Sequence, residues 1–235
     1  KVHTKMWFDA LKIPNTPYVF LSEPGEQSLG LAKECFQQWG TLFIKASSQG
    51  SSIGCYLVEQ EKDIKDSLEE AFQYSPYVIL EKSLKGSREL EVAAFEYQGK
   101  THVTPPGEIL CPGGFYSYED KYGENCQTET RVETLDLEKK TIEQIQTISQ
   151  TVFKKLKLRH LSRIDFFLTP EGDIFLNEIN TFPGMTPISM FPKMLENQEI
   201  PFERFLEDIL KKQQIIWNFI LSMIQGGSIA KTSTH

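Results

Sequence analysis

The chain has 235 residues, 40% hydrophobic and 24% charged, the make-up of a globular chain long enough for one large domain or two modest ones. Its net charge of −7 repels phosphate backbones over long range, which argues against nucleic acid as a general partner. Four scattered cysteines, Cys35, Cys55, Cys111 and Cys126, form no CxxC pair and have no His cluster beside them; they read as reduced thiols of a cytoplasmic protein rather than a zinc site.

In chain order, the opening Lys1-Val2-His3-Thr4-Lys5 shows no signal peptide, has no initiating Met and reads like the middle of a gene. Met6 to Leu11 suits a short helix, broken by Pro14 and Pro17. Leu29, Ala32, Phe36 and Trp39 recur at helical spacing over 26–39, and Gly40 supplies the stop. A β-type run over 41–44 leads through a Ser/Gly loop, 47–54, to a second apolar run, 55–58. Ile64, Leu68, Ala71 and Phe72 share a helical face within 61–73. Strands are predicted at 77–81, 89–97 and 101–104, the last two joined at Gln98-Gly99.

The segment 105–134 is rich in Gly, Pro, Tyr and charge and has little periodic signal, so it reads as a long functional or disordered loop. A helix over 141–158 follows, with Ile142, Ile145, Ile148, Val152, Phe153 and Leu156 inward. A hairpin comes next: 162–168, a turn at 169–172, then 173–179. Pro201 opens the last clear helix, expected to end near Lys212. The tail 213–235 reads as a poorly ordered end, and its apolar run 215–224 is too short to cross a bilayer, so no membrane partner is expected. Strands and helices are mixed rather than strictly alternating, which favours α+β over a doubly wound sheet.

The hairpin carries the most chemistry. Side chains alternate across a strand, so Arg163 and Asp165 share a face, as do Glu178 and Asn180. With an even loop, position 165 lies opposite 176 and beside 178, and all four polar groups project together; Phe167, Ile174 and Leu176 then carry that side nearer the turn, while Ile164, Phe166, Phe175 and Ile179 face the other core. Two carboxylates and an amide oxygen at one point call for a hard cation, Mg²⁺ or Mn²⁺. The plainer alternative is a strand pair with a surface salt bridge between Arg163 and Glu178. The loop 181–187, with two prolines and a glycine, either lets backbone amides approach a ligand or is an ordinary tight turn. Upstream, Lys45 stands beside the small-residue stretch 50–54, whose amides and hydroxyls could close over phosphate. It is not a Walker A loop, and a flexible hairpin turn is the competing reading.

Five ordered segments together carry a resemblance: 45–54 (KASSQGSSIG), 88–93 (RELEVA), 115–122 (FYSYEDKY), 163–167 (RIDFF) and 177–190 (NEINTFPGMTPISM). From residue 1 to about 212 the order and spacing resemble the D-alanine–D-alanine ligases. The resemblance implies an ATP-grasp fold, two α+β lobes holding ATP between them, with a small central lobe over 1–84 and a large metal-bearing lobe over 85–212. It implies that ATP phosphorylates one D-alanine carboxylate and that the amine of a second attacks the acyl phosphate, giving dipeptide, ADP and phosphate for peptidoglycan precursors.

By motif position, the resemblance puts Lys1 and Lys45 on ATP phosphates and Lys82 beside the adenine. Glu81 and Leu84 belong to the adenine hinge, Glu89 to the ribose, and Ser51 and Ser52 to the phosphate-covering loop. Lys121 and Tyr122 lie on a closing loop, and Lys121 also serves ATP. Asp165, Glu178 and Asn180 hold two Mg²⁺ or Mn²⁺ ions. Arg163 and the Gly184 amide bind the acyl phosphate and oxyanion, and Ser189 and Met190 receive the second D-alanine. Tyr122, where lactate-using relatives often have His, favours an amine nucleophile. The family commonly forms dimers.

The sequence also departs from the family. Ala46 follows the lysine where Pro is usual, Ser83 replaces a larger residue, and the stretch before Glu89 is about one residue longer than in some relatives. The family's amino-terminal domain, whose acidic residue grips the first D-alanine, is expected to be missing here. A non-catalytic or truncated ATP-binding fragment, or a D-alanine–D-lactate or D-alanine–D-serine ligase, are the alternatives.

Overall fold

The computed structural model describes residues 1–110, 129–186 and 188–229. The smaller of its two antiparallel sheets contains β1 (Tyr18–Leu21), β2 (Leu42–Ala46), β3 (Cys55–Val58) and β4 (Val78–Lys82), in the order β1-β4-β2-β3. Alternation turns Leu42, Ile44, Val78 and Leu80 to one face. There α2 (Glu26–Trp39) and α3 (Ile64–Tyr74) cover them with Ala32, Cys35, Ile64, Leu68 and Ala71. Each fully buried aliphatic side chain contributes roughly 1.5–3 kcal/mol, so this helix-backed face fixes which way the strands point. The other face is left to Phe43, Lys45, Ile79 and Glu81. As the sequence suggests, α2 stops at Gly40 (φ +76°), whose amide donates to the Phe36 carbonyl.

The larger sheet comprises β5 (Arg88–Tyr97), β6 (Lys100–Val103), β7 (Gly107–Leu110), β8 (Glu129–Arg131), β9 (Leu161–Leu168) and β10 (Ile174–Asn180). The order is β10-β9-β5-β7-β8, with β6 also on β5. One face, with Leu90, Val92, Ala94, Ile164 and Phe166, packs against Ile145, Val152 and Phe153 of α4 (Lys139–Lys155). On the opposite face, Ala93, Phe95 and Leu161 meet α5 (Met190–Asn197) and Phe205 of α6 (Phe202–Ile229). All pairings between named strands are antiparallel, so the chain is α+β.

Several expectations change. The stretch 105–134 is not all loop: β7 and β8 lie within it, and residues 111–128 fall outside the described ones. The final helix does not end near Lys212 but continues to Ile229. The helix α1 (Val2–Ala10), with the turn after it, contributes Phe8 and Ile13 to the core of the large sheet. The Leu176 amide donates to the Pro14 carbonyl, and Asn15 bridges to Leu176. The first residues thus also pack against the larger sheet. Among the described residues, no helix is long and apolar enough to cross a membrane.

Candidate active site

The site begins with a register error in the hairpin. Residues 174, 175 and 176 pair with 168, 167 and 166, but Glu178 pairs with Asp165 and Asn180 with Arg163. The extra residue is Asn177, a β-bulge. The even-loop register, with 165 opposite 176, is therefore corrected. Before the bulge Ile174 and Leu176 point into the core behind the sheet, not toward the site. After it, Glu178 and Asn180 have switched faces, and Ile179 packs against that core in their place. The four polar residues do share one side, but a parity change puts them there.

Across that side runs a row of three carboxylates, because Asp165 is the register partner of both Glu178 on β10 and Glu91 on β5. Arg163 lies in the next row. Its Nε and Nη2 donate to the two oxygens of Asp165 at 2.8 and 2.7 Å, and Nε lies 3.2 Å from Glu91 Oε1. The plain alternative, an Arg163–Glu178 bridge, is replaced by this bidentate pair with Asp165. Burial opposes the Arg163 charge, yet Asp165 and Glu91 more than offset it and raise its pKa. Burial and then Asp165 push Glu178 above the usual carboxylate value, against Arg163, Lys45 and Lys1. The same two causes push Glu91 up to about 8.

The donors of the metal reading are thus brought together. The Asn180 amide nitrogen lies 3.3 Å from Glu178 Oε1 and 3.5 Å from Asp165 Oδ2. Among the described residues, no group of three or more His, Cys, Asp or Glu side chains could hold a metal ion. Two carboxylates and an amide whose oxygen can rotate inward are nevertheless a hard-ion donor set. The raised Glu178 marks negative charge that burial leaves under-compensated, so the residues fit a divalent cation.

The small sheet supplies the opposite charge. Lys45 on β2 donates to Glu81 Oε2 of β4 at 2.6 Å, and Lys5 of α1 lies 3.4 Å from Glu81 Oε1. These side chains are nearly enclosed, at 13, 4 and 3% exposure for Lys45, Glu81 and Lys5. Burial pushes the Glu81 carboxyl up, but Lys45 and Lys5 outweigh it and hold it low. Burial likewise opposes the Lys45 charge, and Glu81 reverses that and raises it. Lys1 donates to the carbonyls of Ala46, at 3.3 Å, and of Gln49, and burial lowers its pKa. Both Lys1 and Lys45 feel the charge of Glu178, so cations of the small lobe face carboxylates of the large one.

The loop between β2 and β3 begins at the same place. Ser47 donates its amide to the Tyr77 carbonyl and Gln49 its side-chain amide to Tyr74. Ser51 and Ser52 take left-handed backbone at φ +51° and +61°. Gly54 is also left-handed, at +64°, and a Cβ there would stand 2.8 Å from the Ala46 Cβ. Ala46, where the family has Pro, donates its amide to the Gly54 carbonyl at 2.7 Å, a bond proline could not make.

The other expected residues are placed as follows. Lys82 ends β4, its amide on the Pro17 carbonyl, and the Leu84 carbonyl accepts from Ser87 in the turn joining the lobes. Glu89 lies on the site face of β5, between Phe167 and Ile109. At Gly184 a Cβ would sit 2.7 Å from Ser189 Oγ, which accepts from the Thr186 amide. Ser189 precedes the first residue of α5 without a side-chain cap hydrogen bond, while Met190 is 5% exposed and packed in the core, so only its backbone can face a ligand. Lys121 and Tyr122 lie outside the described residues, as do Cys111 and Cys126; Cys35 and Cys55 form no disulfide. Two site residues escaped the sequence reading. Glu91 follows Glu89 at the strand period of two, and Lys5 follows Lys1 at the helical period of four, so spacing alone could have found both.

A family model described as "D-ala D-ala ligase C-terminus" matches residues 7–211. A D-alanine–D-alanine ligase of Shewanella woodyi is 53% identical over 216 residues, 92% of this chain and 64% of that protein. Among solved structures, D-alanyl-alanine synthetase A of Vibrio cholerae aligns with TM-score 0.84 at 52% identity, covering 90% of this chain and 64% of that one. VanG D-Ala:D-Ser ligase of Enterococcus faecalis aligns with TM-score 0.74 at 26% identity, covering 88% and 59%. The chain spans about 64% of the length of the curated relatives it matches.

Proposed function

The chain belongs to the D-ala D-ala ligase C-terminus family and has its ATP-grasp fold, and from that premise we propose that it serves the ATP-dependent joining of two D-alanines. ATP phosphorylates one carboxylate, the second amine displaces phosphate, and ADP and dipeptide leave for peptidoglycan precursor synthesis. The supporting observation is the charge arrangement: Lys1 and Lys45 of the small lobe sense Glu178 of the large lobe, with the 47–54 loop rooted beside them.

Phosphoryl transfer needs positioning and charge neutralisation more than covalent help. Lys45 and Lys1 bind phosphate oxygens, and Ser51 and Ser52 cover them. Glu81, Lys82 and Leu84 line the adenine side, and Glu89 reaches the ribose. Asp165, Glu178 and Asn180 hold two Mg²⁺ or Mn²⁺ ions, which supply neutralisation of the transferred phosphoryl group. Arg163 and the Gly184 amide stabilise charge on the acyl oxygen, and the Ser189 and Met190 end of α5 receives the second D-alanine. Lys121 and Tyr122 close over the reactants and exclude water.

D-alanine is favoured as the second substrate because the curated relatives at 52–53% identity are named D-alanine–D-alanine ligases. The acidic net charge supports a reaction without nucleic acid, the short apolar run 215–224 one without a membrane, the scattered cysteines a cytoplasmic setting, and the family habit a homodimer.

Titration calorimetry with ATP, with and without Mg²⁺, tests the reading. Asp165→Asn and Glu178→Gln should each weaken Mg²⁺-dependent binding by about tenfold or more. Undiminished affinity in both would remove the metal site from the proposal. Phosphate release with D-alanine, D-lactate and D-serine offered in turn identifies the second substrate.

A further inference from the structure

The buried ion cluster of the small lobe contains one cation more than the proposed chemistry uses. Lys5 is 2% exposed overall, deeper than either lysine given a phosphate contact. It has three neighbours: Glu81 Oε1 at 3.4 Å, the Thr16 carbonyl at 3.4 Å and the Tyr18 ring, 5.6 Å from its ammonium. Tyr18 in turn donates to Asp9 at 2.7 Å, and Asp9 accepts from Asn15 at 3.0 Å. Phe8, three residues on, is locked in the large-lobe core. Lys5 is therefore enclosed, with its ammonium engaged by Glu81, the Thr16 carbonyl and the Tyr18 ring.

Lys45 is differently placed. Its shortest contact is to Glu81, and a phosphate ligand would compete with that carboxylate for the same ammonium. Glu81 would then be a carboxylate 4% exposed with its nearest partner gone, a costly state in a protein interior. The two oxygens of Glu81 are divided between the two lysines, so one cation stays when the other leaves.

We propose that Lys5 is a positioning residue that acts through Glu81: as the standing counter-ion of that carboxylate, it lets Lys45 move onto the nucleotide phosphates. The proposal rests on the ATP reading above. Burial already lowers the Lys5 pKa, so its charge depends on Glu81 as much as Glu81 depends on it.

Two measurements on this chain decide it. MgATP affinity of Lys5→Met should fall about tenfold, and Lys5→Arg, which keeps the charge, should retain affinity within about threefold. Independently of nucleotide, acetic anhydride labelling of Lys45 across pH, read by peptide mass spectrometry, should show Lys45 less reactive in Lys5→Met. Glu81 then holds it alone and its pKa rises. A role in packing alone would loosen the cluster and make Lys45 more reactive. Unchanged MgATP affinity in Lys5→Met, or faster Lys45 labelling, overturns the proposal. If the unaltered chain fails to bind MgATP while labelling changes as expected, the nucleotide reading fails and the counter-ion role stands.

Discussion

Replacing Glu81 by Gln keeps the shape of the side chain and removes the one carboxylate shared by two buried lysines. At an effective dielectric near 20, the attraction is roughly 6 kcal/mol for the 2.6 Å contact and roughly 5 kcal/mol at 3.4 Å. Desolvation of the carboxylate, 4% exposed, offsets most of this, and the net loss expected at pH 7 is about 3–5 kcal/mol. The pH dependence has a definite sign. In the unaltered chain Glu81 is held below its ordinary 4.5, so its stabilisation is present above that pH and fades as pH falls through the folded value. In Glu81→Gln the lysines are buried without it, and Lys5, already below 10.5, drops further. Between that lowered value and 10.5 the unfolded chain binds more protons than the folded one, so the variant regains stability as pH rises. Urea denaturation followed by circular dichroism at pH 4, 7 and 10 should therefore show the largest deficit at pH 7. Adding Lys5→Met to Glu81→Gln should recover part of it. A deficit under about 1 kcal/mol at pH 7, or one equal at pH 7 and 10, refutes the ion-cluster account.

Three further perturbations test other parts of the structure. Gly54→Ala imposes a left-handed alanine and a Cβ 2.8 Å from Ala46, and should cost about 2–4 kcal/mol in chemical denaturation. Arg88→Ala strips a bidentate partner, at 2.7 and 2.8 Å, from Glu108, whose side chain is 4% exposed. Because Arg88 is itself 30% exposed, about 2 kcal/mol is expected, measured as a shift in the urea midpoint. Deleting Asn177 joins Leu176 directly to Glu178, so plain alternation keeps Ile174 and Leu176 in the core and Glu178 and Asn180 on the site face without a bulge; circular dichroism should show a native-like melt, and loss of the folded state would contradict the register assigned here.

Most of the fold was legible because each element buries one face and so writes its period into the sequence. Ile64, Leu68 and Ala71 at helical spacing, and Leu42 with Ile44 at strand spacing, locate the small lobe without coordinates. What was not legible has a common cause. Gly107 to Leu110 and Glu129 to Arg131 are three or four residues long, too short for a period to emerge, and their place is set by pairing, β7 on β5 and β8 on β7. The helix runs on past Lys212 to Ile229, where periodicity suggested an end near Lys212 and a poorly ordered tail after it.

The site shows the same limit from another angle. Residue types announced the chemistry: carboxylates, an arginine, lysines and glycines at motif spacing. Their grouping depended on a face assignment that simple alternation gets wrong. Counting by twos from Ile174, an apolar residue in the core, puts Glu178 and Asn180 in that core as well. Only one unpaired residue, Asn177, makes both the packing of Leu176 and the exposure of Glu178 to Lys45 and Lys1 possible. Two buried sets of opposite polarity on one strand cannot share its parity, so a strand that serves the core with one half and a polar site with the other needs a break in register between them. The conflict is visible in the sequence as even-numbered apolar residues followed by even-numbered polar ones. The bulge is the resolution that such a conflict demands, and it lies between the last core residue and the first carboxylate because nowhere else satisfies both.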